Sequence, residues 1–381
     1  MKKVQVLIIG GGVSGASVAF HLGKININCL LIEAGNIGRG CEDKLSGTAV
    51  PKILRHSKMI LTGFPSNIKN FIEKHGIKNA TNYLEMSVKG SELQKTIAKK
   101  INPFVIREYG SLIVADKSRS KKLLEEFKLY KKLGMDNIIY KSKEDIVSLY
   151  GKDCNFINGI FFPKDALIDS ESYAKEIISY SKIPFLENTK LLKLKENKNN
   201  ILAFLSNNET IIADFVVLAT NGLFIPNEIK GLIKPCWSYI VCSENKGINT
   251  SNAISFTNSY HDWTRQDNIL RLSGEDGHPA NRKPNMNYIK KLVDWSDKEF
   301  GKNNILTNHF GVYAETIDEL PIADIISKNK RICYIGGCNA QGQATLSYAA
   351  SLISGILGYE KMNSQQRKIA RLLSIKRFIK K

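Results

Sequence analysis

Three glycines, Gly10, Gly12 and Gly15, follow an apolar run at residues 4–9 with G-x-G-x-x-G spacing, and Glu33 closes the next apolar run, Cys29–Ile32. Strand, glycine turn, helix, strand and acid in that order form the fingerprint of a dinucleotide site. Gly10 permits the tight turn, and Gly12 lets the backbone approach a pyrophosphate. Gly15 lets helix and strand pack closely, while the helix N-terminus favours the phosphate charge. Glu33 is placed to accept from a ribose hydroxyl. The triplet alone is weak evidence. The whole unit from residue 4 is specific, although a plain βαβ unit without a ligand would share its skeleton.

A second glycine-rich turn, Gly336-Gly-Cys-Asn-Ala-Gln-Gly342, follows an apolar run at 331–335 and precedes an apolar helical pattern at 345–357. A third apolar run, 214–222, ends Ala-Thr-Asn-Gly, which sets backbone rather than side chain beside whatever lies at its carboxyl end. Nothing suggests hydrolysis: Ser-His-Asp spacing and paired carboxylates are missing. The six histidines and seven cysteines show neither metal-ligand spacing nor a C-x-x-C pair, so no metal is expected. His21 reads as structural; His56, His261 and His278 stay open as pocket residues. Cys29 and Cys333 fall inside strand patterns and read as core.

The elements that must position these groups follow from periodicity. Strands are expected at 104–115 with a break at Gly110, and at 191–194, 201–205, 210–213, 214–222, 237–242, 268–273 and 331–335. Helices are expected at 121–133, 145–150 and 170–181. Nucleotide-binding material therefore lies at the start, middle and end of the chain, and a strand-rich second domain fills the gaps. The expected division is 1–84, 151–222 and 321–381 against 85–150 and 223–320.

The chain has 381 residues, 43% hydrophobic and 24% charged, enough for a large core and two domains. No apolar run reaches the ~18–20 residues of a membrane span. Met1-Lys2-Lys3 resembles the start of a signal peptide, but the glycines interrupt any apolar region and no cleavage site follows, so a cytoplasmic protein is expected. The net charge of +19 admits nucleic acid, an anionic lipid surface or an anionic substrate as partner. The lysines are scattered over helix faces, which favours compositional drift toward Lys, Asn and Ile over a nucleic-acid partner. The basic segment 365–381 reads as a solvated helix face, with peripheral contact at the inner face of a membrane as the other reading.

Four blocks carry a family resemblance: residues 6–15 with Glu33; Asn36-Ile37-Gly38-Arg39-Gly40; residues 213–222; and Tyr313-Ala-Glu-Thr316-Ile-Asp318-Glu-Leu-Pro321 followed by Gly336, Gly337 and Gly342. In spacing and order, over essentially the whole chain, they resemble the D-amino-acid-oxidase-type FAD-dependent oxidoreductases, among them glycine oxidase and sarcosine oxidase. The resemblance implies an α/β fold: a Rossmann-like FAD-binding domain of the GR2 type interleaved with a strand-rich α+β substrate domain. It implies FAD rather than NAD, and oxidation of a C–N bond in an amine or amino acid by hydride transfer to flavin N5. Oxygen or a respiratory electron acceptor would then reoxidise the flavin.

The resemblance places FAD against Gly10, Gly12, Val13, Ser14 and Gly15, and against Glu33 and Ala34. Gly40, Cys41, Ser46 and Gly47 would follow, then Leu191, Ala219, Thr220 and Gly222. Gly337, Asn339, Gly342 and Gln343 would face the flavin's pyrimidine edge. Arg55, in Ile53-Leu-Arg-His56, stands where the sarcosine oxidases bind a substrate carboxylate, with Lys52 nearby. Arg271 is a second candidate anion ligand because the strand Arg271-Leu-Ser-Gly274 resembles the family's active-site strand. Tyr239 and Tyr313 are candidate pocket walls, with core packing the alternative. Departures stand beside these. Gly311 replaces the cysteine that links flavin in sarcosine oxidases, so FAD is expected to be non-covalent. Ala344 replaces a carboxylate-binding lysine, and Cys41-Glu42-Asp43 replaces a small-residue run. The competing functions are a quinone-linked dehydrogenase at a membrane surface, a flavoenzyme acting on a modified tRNA base, and a flavin-binding protein without turnover.

Overall fold

Strand β1 (Lys2–Ile9) lies between β2 (Cys29–Ile32) and β12 (Thr210–Leu218), parallel to both. It is apolar on both sides because both are covered: Val6 and Ile8 belong to the core under the helices, Leu7 and Ile9 to the core on the other face. The computed structural model describes residues 2–39, 57–151, 153–244, 255–258, 261–266, 268–280, 283–302 and 304–378.

The first sheet runs β10 (Leu191–Glu196), β11 (Ile201–Leu205), β12, β1, β2 and β9 (Phe185–Leu186). β11 pairs antiparallel with the first half of β12, and β19 (Ile332–Gly336) pairs parallel with its end. β18 (Ile322–Ile325) lies antiparallel on β19. What the sequence divides at Ala213 is thus one strand whose two halves take different partners. Cys29 and Cys333 are buried core residues of β2 and β19. Helices α1 (Val13–Lys24), α6 (Ser170–Ser181) and α8 (Gly342–Ser351) pack in the layer above, followed by the short α9 (Ile353–Ile356).

The second sheet has eight strands in the order β17 (Asn304–Thr316), β13 (Ile233–Glu244), β16 (Ile269–Pro279), β15 (His261–Gln266), β14 (Ser255–Thr257), β5 (Ser111–Ala115), β7 (Asn158–Phe162) and β6 (Ile139–Lys141). All its pairings are antiparallel except β14 with β5. Helices α4 (Ser120–Lys132), α5 (Lys143–Tyr150) and α7 (Met286–Phe300) cover it. A three-stranded sheet, β3 (Ser57–Ile60), β8 (Ala166–Asp169) and β4 (Ile106–Arg107), stands beside both.

Two element positions differ from the expected division. Helix α3 (Ile77–Ile101), after the short α2 (Ile68–His75), runs straight through the 84/85 boundary and packs along α8. Gly90 makes this possible, since a Cβ there would stand 2.0 Å from the Ala344 carbonyl oxygen. β7, expected with the nucleotide-binding part, belongs instead to the second sheet. A period-based reading cannot show either, because both depend on long-range partners.

The basic C-terminal segment folds back on the chain. Helix α10 (Ser364–Leu373) starts with a capping box between Asn363 and Gln366. It buries Ile369, Leu372 and Leu373, each contributing about 1.5–3 kcal/mol on removal from water. Arg377 then makes a bidentate ion pair with Asp318, at 2.7 and 3.2 Å. The apolar face of this helix is spent inside the molecule. No helix among the described residues is long and apolar enough to cross a membrane.

Asp165 ties the second sheet to the loop after β3. It is 1% exposed; Oδ1 accepts from Thr62 N and Oγ1 at 2.9 and 2.7 Å, and Oδ2 accepts from Ser111 Oγ at 2.6 Å. Burial outweighs these bonds and the attraction of Lys95, and pushes the carboxyl from 3.8 up to about 7. The folded state then binds a proton that the unfolded state has lost, so stability falls as pH rises between about 4 and 7. Asp165→Asn keeps an acceptor for Thr62 and removes the titration. Its melting temperature should gain steadily on the wild type as pH rises through that window; parallel melting curves at all pH values would refute the account.

Candidate functional site

The first turn of α1 has no cap of its own. Its N-cap is Gly12, no side chain accepts from its N–H groups, and no acid lies in that turn. Those donors open on a cavity of about 530 Å³ lined there by Gly10, Gly12, Val13 and Ser14. The backbone comes this close for steric reasons. Gly10 has φ +105°, and a Cβ on it would stand 2.7 Å from the Ala219 oxygen. A Cβ on Gly15 would stand 1.9 Å from the Gly10 oxygen. Gly15 therefore serves packing and does not line the cavity, whereas Ala219 and Thr220 do.

Glu33 holds the glycine turn as well as facing the cavity. Oε2 accepts from Gly11 N at 2.6 Å and Oε1 from Gly35 N at 2.8 Å. Its remaining lone pairs are available to a ribose. Ala34, Thr189, Lys190 and Leu191 continue this end of the cavity.

A second uncapped helix opens on the same cavity. α8 begins after Gln341 with no side-chain cap and no acid in its first turn, and Gly342 and Gln343 line the space before it. The Gln343 side-chain Oε1 accepts from Gln94 Nε2 at 2.7 Å, so α3 orients that side chain. The turn before α8 is latched to the end of β12 by Asn221. This residue (φ 45°) accepts from Gly337 N at 3.1 Å through its side chain and from the Tyr334 hydroxyl at 2.6 Å through its carbonyl. Gly337, at φ +75°, and Asn339, whose Oδ1 accepts from Thr316 N at 2.8 Å, shape the turn and do not line the cavity. Gly222 likewise makes room, since a Cβ there would meet the Tyr313 oxygen at 2.8 Å. Two helix N-termini, a glycine cradle and an acid on one elongated cavity fit a dinucleotide carrying an electron-rich ring at its far end.

The far end is one face of the second sheet. Ser238 and Ile240 of β13, Asp262 of β15, Arg271 and Ser273 of β16, and Gly311 and Tyr313 of β17 line it. Ser273 stands in register between Ile240 and Asp262. Strict alternation would next bring in Glu275, but Glu275 is left-handed at φ 54° and Gly277 at φ 84°, so the strand bulges and shifts phase. Asp276 turns into the cavity instead. Glu275 goes to the opposite face, 3.7 Å from His261 and 3.5 Å from Lys291. His261, stacked on Trp295, is thereby turned from the cavity.

Charges at this end are mixed. Arg271 is 5% exposed and donates to Ser273 Oγ at 3.2 Å. Burial raises the Asp262 carboxyl, against a bond from Thr257 and the attraction of Arg271. Asp276 is open to the cavity and otherwise enclosed. That burial pushes it up to about 7, opposed by Ser238 and Arg271 and reinforced by Asp262 and Glu315. The Tyr313 hydroxyl donates to Glu315 Oε1 at 2.6 Å; burial, with that carboxylate, keeps the phenol protonated.

Tyr239 does not line the cavity. It is fully buried, packs against Tyr288 and Phe310, and accepts from Asn285 N at 3.0 Å, so it is a core residue. Ala344 is buried and does not line the cavity, and Gly311 lines it without a side chain. His21 is enclosed in α1, and burial lowers it to about 4. Arg55, Lys52 and His56 lie outside the described residues, as do Gly40, Cys41, Ser46 and Gly47 and the acids Glu42 and Asp43; the side chain of His278 is not described either. Sequence reasoning missed Asp262, Asp276, Ser238 and Asn221. The run Gly274-Glu-Asp-Gly277 inside a strand pattern is the one signal that pointed to a bulge.

Glu33→Ala leaves two backbone N–H groups without acceptors, a cost of about 1–3 kcal/mol each where buried. The variant should purify with several-fold less dinucleotide per chain at unchanged far-ultraviolet circular dichroism. Full cofactor content would show that the acid is not needed to hold the turn.

Comparison with known proteins agrees with this geometry. The family model of the FAD-dependent oxidoreductases called DAO matches residues 5–355. Glycine oxidase from Geobacillus kaustophilus superposes with a TM-score of 0.76 at 13% identity, covering 95% of this chain and 96% of that one. L-proline dehydrogenase from P. horikoshii gives 0.75 at 17% identity, covering 95% of each chain. The FAD-bound L-alpha-glycerophosphate oxidase from Mycoplasma pneumoniae gives 0.72 at 15% identity, covering 96% and 98%. No curated protein matches by sequence. With a Rossmann-type sheet, a second sheet closing the cavity and a family match over nearly its whole length, the chain belongs to the DAO family of FAD-dependent oxidoreductases.

Proposed function

We propose that this oxidoreductase acts on the C–N bond of a small amine or amino acid. The observation that carries the reading is the single cavity joining the two uncapped helix N-termini to the buried Arg271. The solved relatives titled glycine oxidase and L-proline dehydrogenase make amino acids the natural substrate class to test first.

Residues at the α1 end hold the cofactor: Gly12, Val13 and Ser14 offer backbone N–H groups to the pyrophosphate, and Glu33 accepts from the ribose. Residues at the α8 end, Gly342 and Gln343, meet the ring with partial positive charge. When bound, FAD would supply the acceptor for the hydride, that is the two electrons and the hydrogen, lost from the carbon beside nitrogen as the amine becomes an imine. The protein's remaining work is to hold that carbon in place and exclude water. Arg271 fixes a substrate carboxylate by charge-assisted hydrogen bonds, and Arg55 is proposed as a second anchor. Ile240 and Tyr313 wall the space around the reacting carbon.

The test is anaerobic. Addition of the right amine should bleach the flavin band, and the reduced protein, given oxygen or an artificial dye in turn, should reveal its electron acceptor. Arg271→Met should raise KM for carboxylate-bearing substrates about a hundredfold with a smaller change in kcat, as expected when a charged binding contact is lost. A flavin that no amine or amino acid bleaches would overturn the proposal.

A further inference from the structure

The cavity's inner end is built around an imbalance of charge. Among the described residues that line it, Asp262, Asp276 and Arg271 carry formal charge at that end, two carboxylates to one guanidinium. A carboxylate-binding pocket needs the guanidinium alone. Asp276 is present because the strand is bent to present it: Glu275 and Gly277 both take left-handed backbone, and a non-glycine residue held at φ 54° is a sparsely populated conformation. Without that bulge strict alternation would aim Glu275 there, so an acid meets this end of the cavity in either phase and the bulge makes it the shorter Asp276. Neighbouring groups add negative charge. Glu315 raises Asp276 electrostatically from β17, where Tyr313 donates to it and Lys234 stands 3.9 Å away. Ser238 is the hydrogen-bond donor that steadies the Asp276 carboxylate.

We infer that Asp276 is a specificity residue that receives a cationic group of the substrate, so that the cavity selects amines of net positive charge over neutral zwitterions and anions. This rests on the reading of the chain as an amine or amino-acid oxidoreductase. The chemistry is a division of labour. Arg271 attracts both Asp262 and Asp276, so one guanidinium stands against two carboxylates. Asp276 lines the cavity and is open to it, so a cation arriving with the ligand can pair with the carboxylate that the single guanidinium leaves in excess. A substrate bearing an ammonium or guanidinium besides the reacting nitrogen satisfies it, and the reacting nitrogen keeps its lone pair. An acidic amino acid would place a second anion beside Asp276 and Glu315 and be rejected. The alternative is that Asp276 only balances Arg271 and never meets a ligand.

Flavin difference spectra of the intact holoenzyme, near pH ~8 so that a carboxyl titrating around neutrality is ionised, report occupancy whether or not turnover follows. The panel pairs lysine, ornithine and putrescine with alanine, sarcosine, aspartate and iminodiacetate, each amino acid in both enantiomers; bleaching is read in the same cuvettes. Tighter binding of the cations, reduced about tenfold or more in Asp276→Asn while the zwitterions change little, is the expected result, as for loss of one enclosed charge partner. Flavin content and melting temperature show whether that variant is folded, and Asp276→Ser serves if it is not. Equal or tighter binding of zwitterions or anions by the wild-type protein overturns the inference without any variant. A cation preference that survives in a folded, flavin-loaded Asp276→Asn protein also overturns the assignment. Cation binding without any bleaching would support the charge selection and overturn the oxidation reading, so the two fail separately.

Discussion

The structure depends on a place where side chains are excluded. At the carboxyl ends of β1 and β12, Gly10 lies against the Ala219 carbonyl, and Gly15 lies over Gly10. Helix α1 can meet the sheet this closely only because three successive backbone layers touch without a Cβ between them. That contact sets the height and direction of the helix, and hence where its uncapped N–H groups point. Any larger residue at Gly15 would lift α1 from the sheet and carry the dinucleotide end of the cavity with it. Glu33 adds the second restraint by pulling the glycine turn onto β2 through two backbone donors.

The same solution recurs at the other end of the chain. α8 begins beside β12, which is possible because the last strand, β19, pairs with β12 rather than with a neighbour in sequence. Asn221 joins the end of β12 to the turn before α8, Asn339 joins that turn to β17, and Gly90 lets α3 cross α8 at backbone distance. The C-terminal segment completes the closure. Arg377 grips Asp318 and the Leu320 carbonyl, which fixes the turn leaving β17, and Ser374 bonds to Asp324 of β18. Of the tail's described basic residues Arg377 serves as internal fastening, while Arg367, Lys368, Arg371 and Lys376 stay exposed.

Where the first sheet supplies donors, the second supplies a shaped wall. Its strands are long and well paired, so the side chains on the cavity face are held by the pleat. The exception is the bulge in β16. Two extra residues in β16 opposite Ser238 re-aim Asp276 inward and send Glu275 out to His261 and Lys291. This local break in the alternation decides which of the two acids faces the inner cavity.

The glycine fingerprint, the strand-helix-strand start, the late glycine turn and the interleaving of two sheets were all legible in the sequence. Each is written in local period or in the spacing of residues that have one physical use: glycine where a Cβ cannot fit, an apolar run where both faces are covered. The family likeness was legible for the same reason. Tertiary structure alone decided that α3 belongs against α8, that β7 joins the second sheet, that Tyr239 is core and that Asn339 serves the turn, because each depends on a partner more than twenty residues away. Arg271 could be singled out from the strand it sits on. Asp276 could not, since a strand's side-chain direction has period two and a bulge changes its sign without changing composition. Sequence determined which residues could hold a dinucleotide; only the fold decided which charges face the inner end of the cavity.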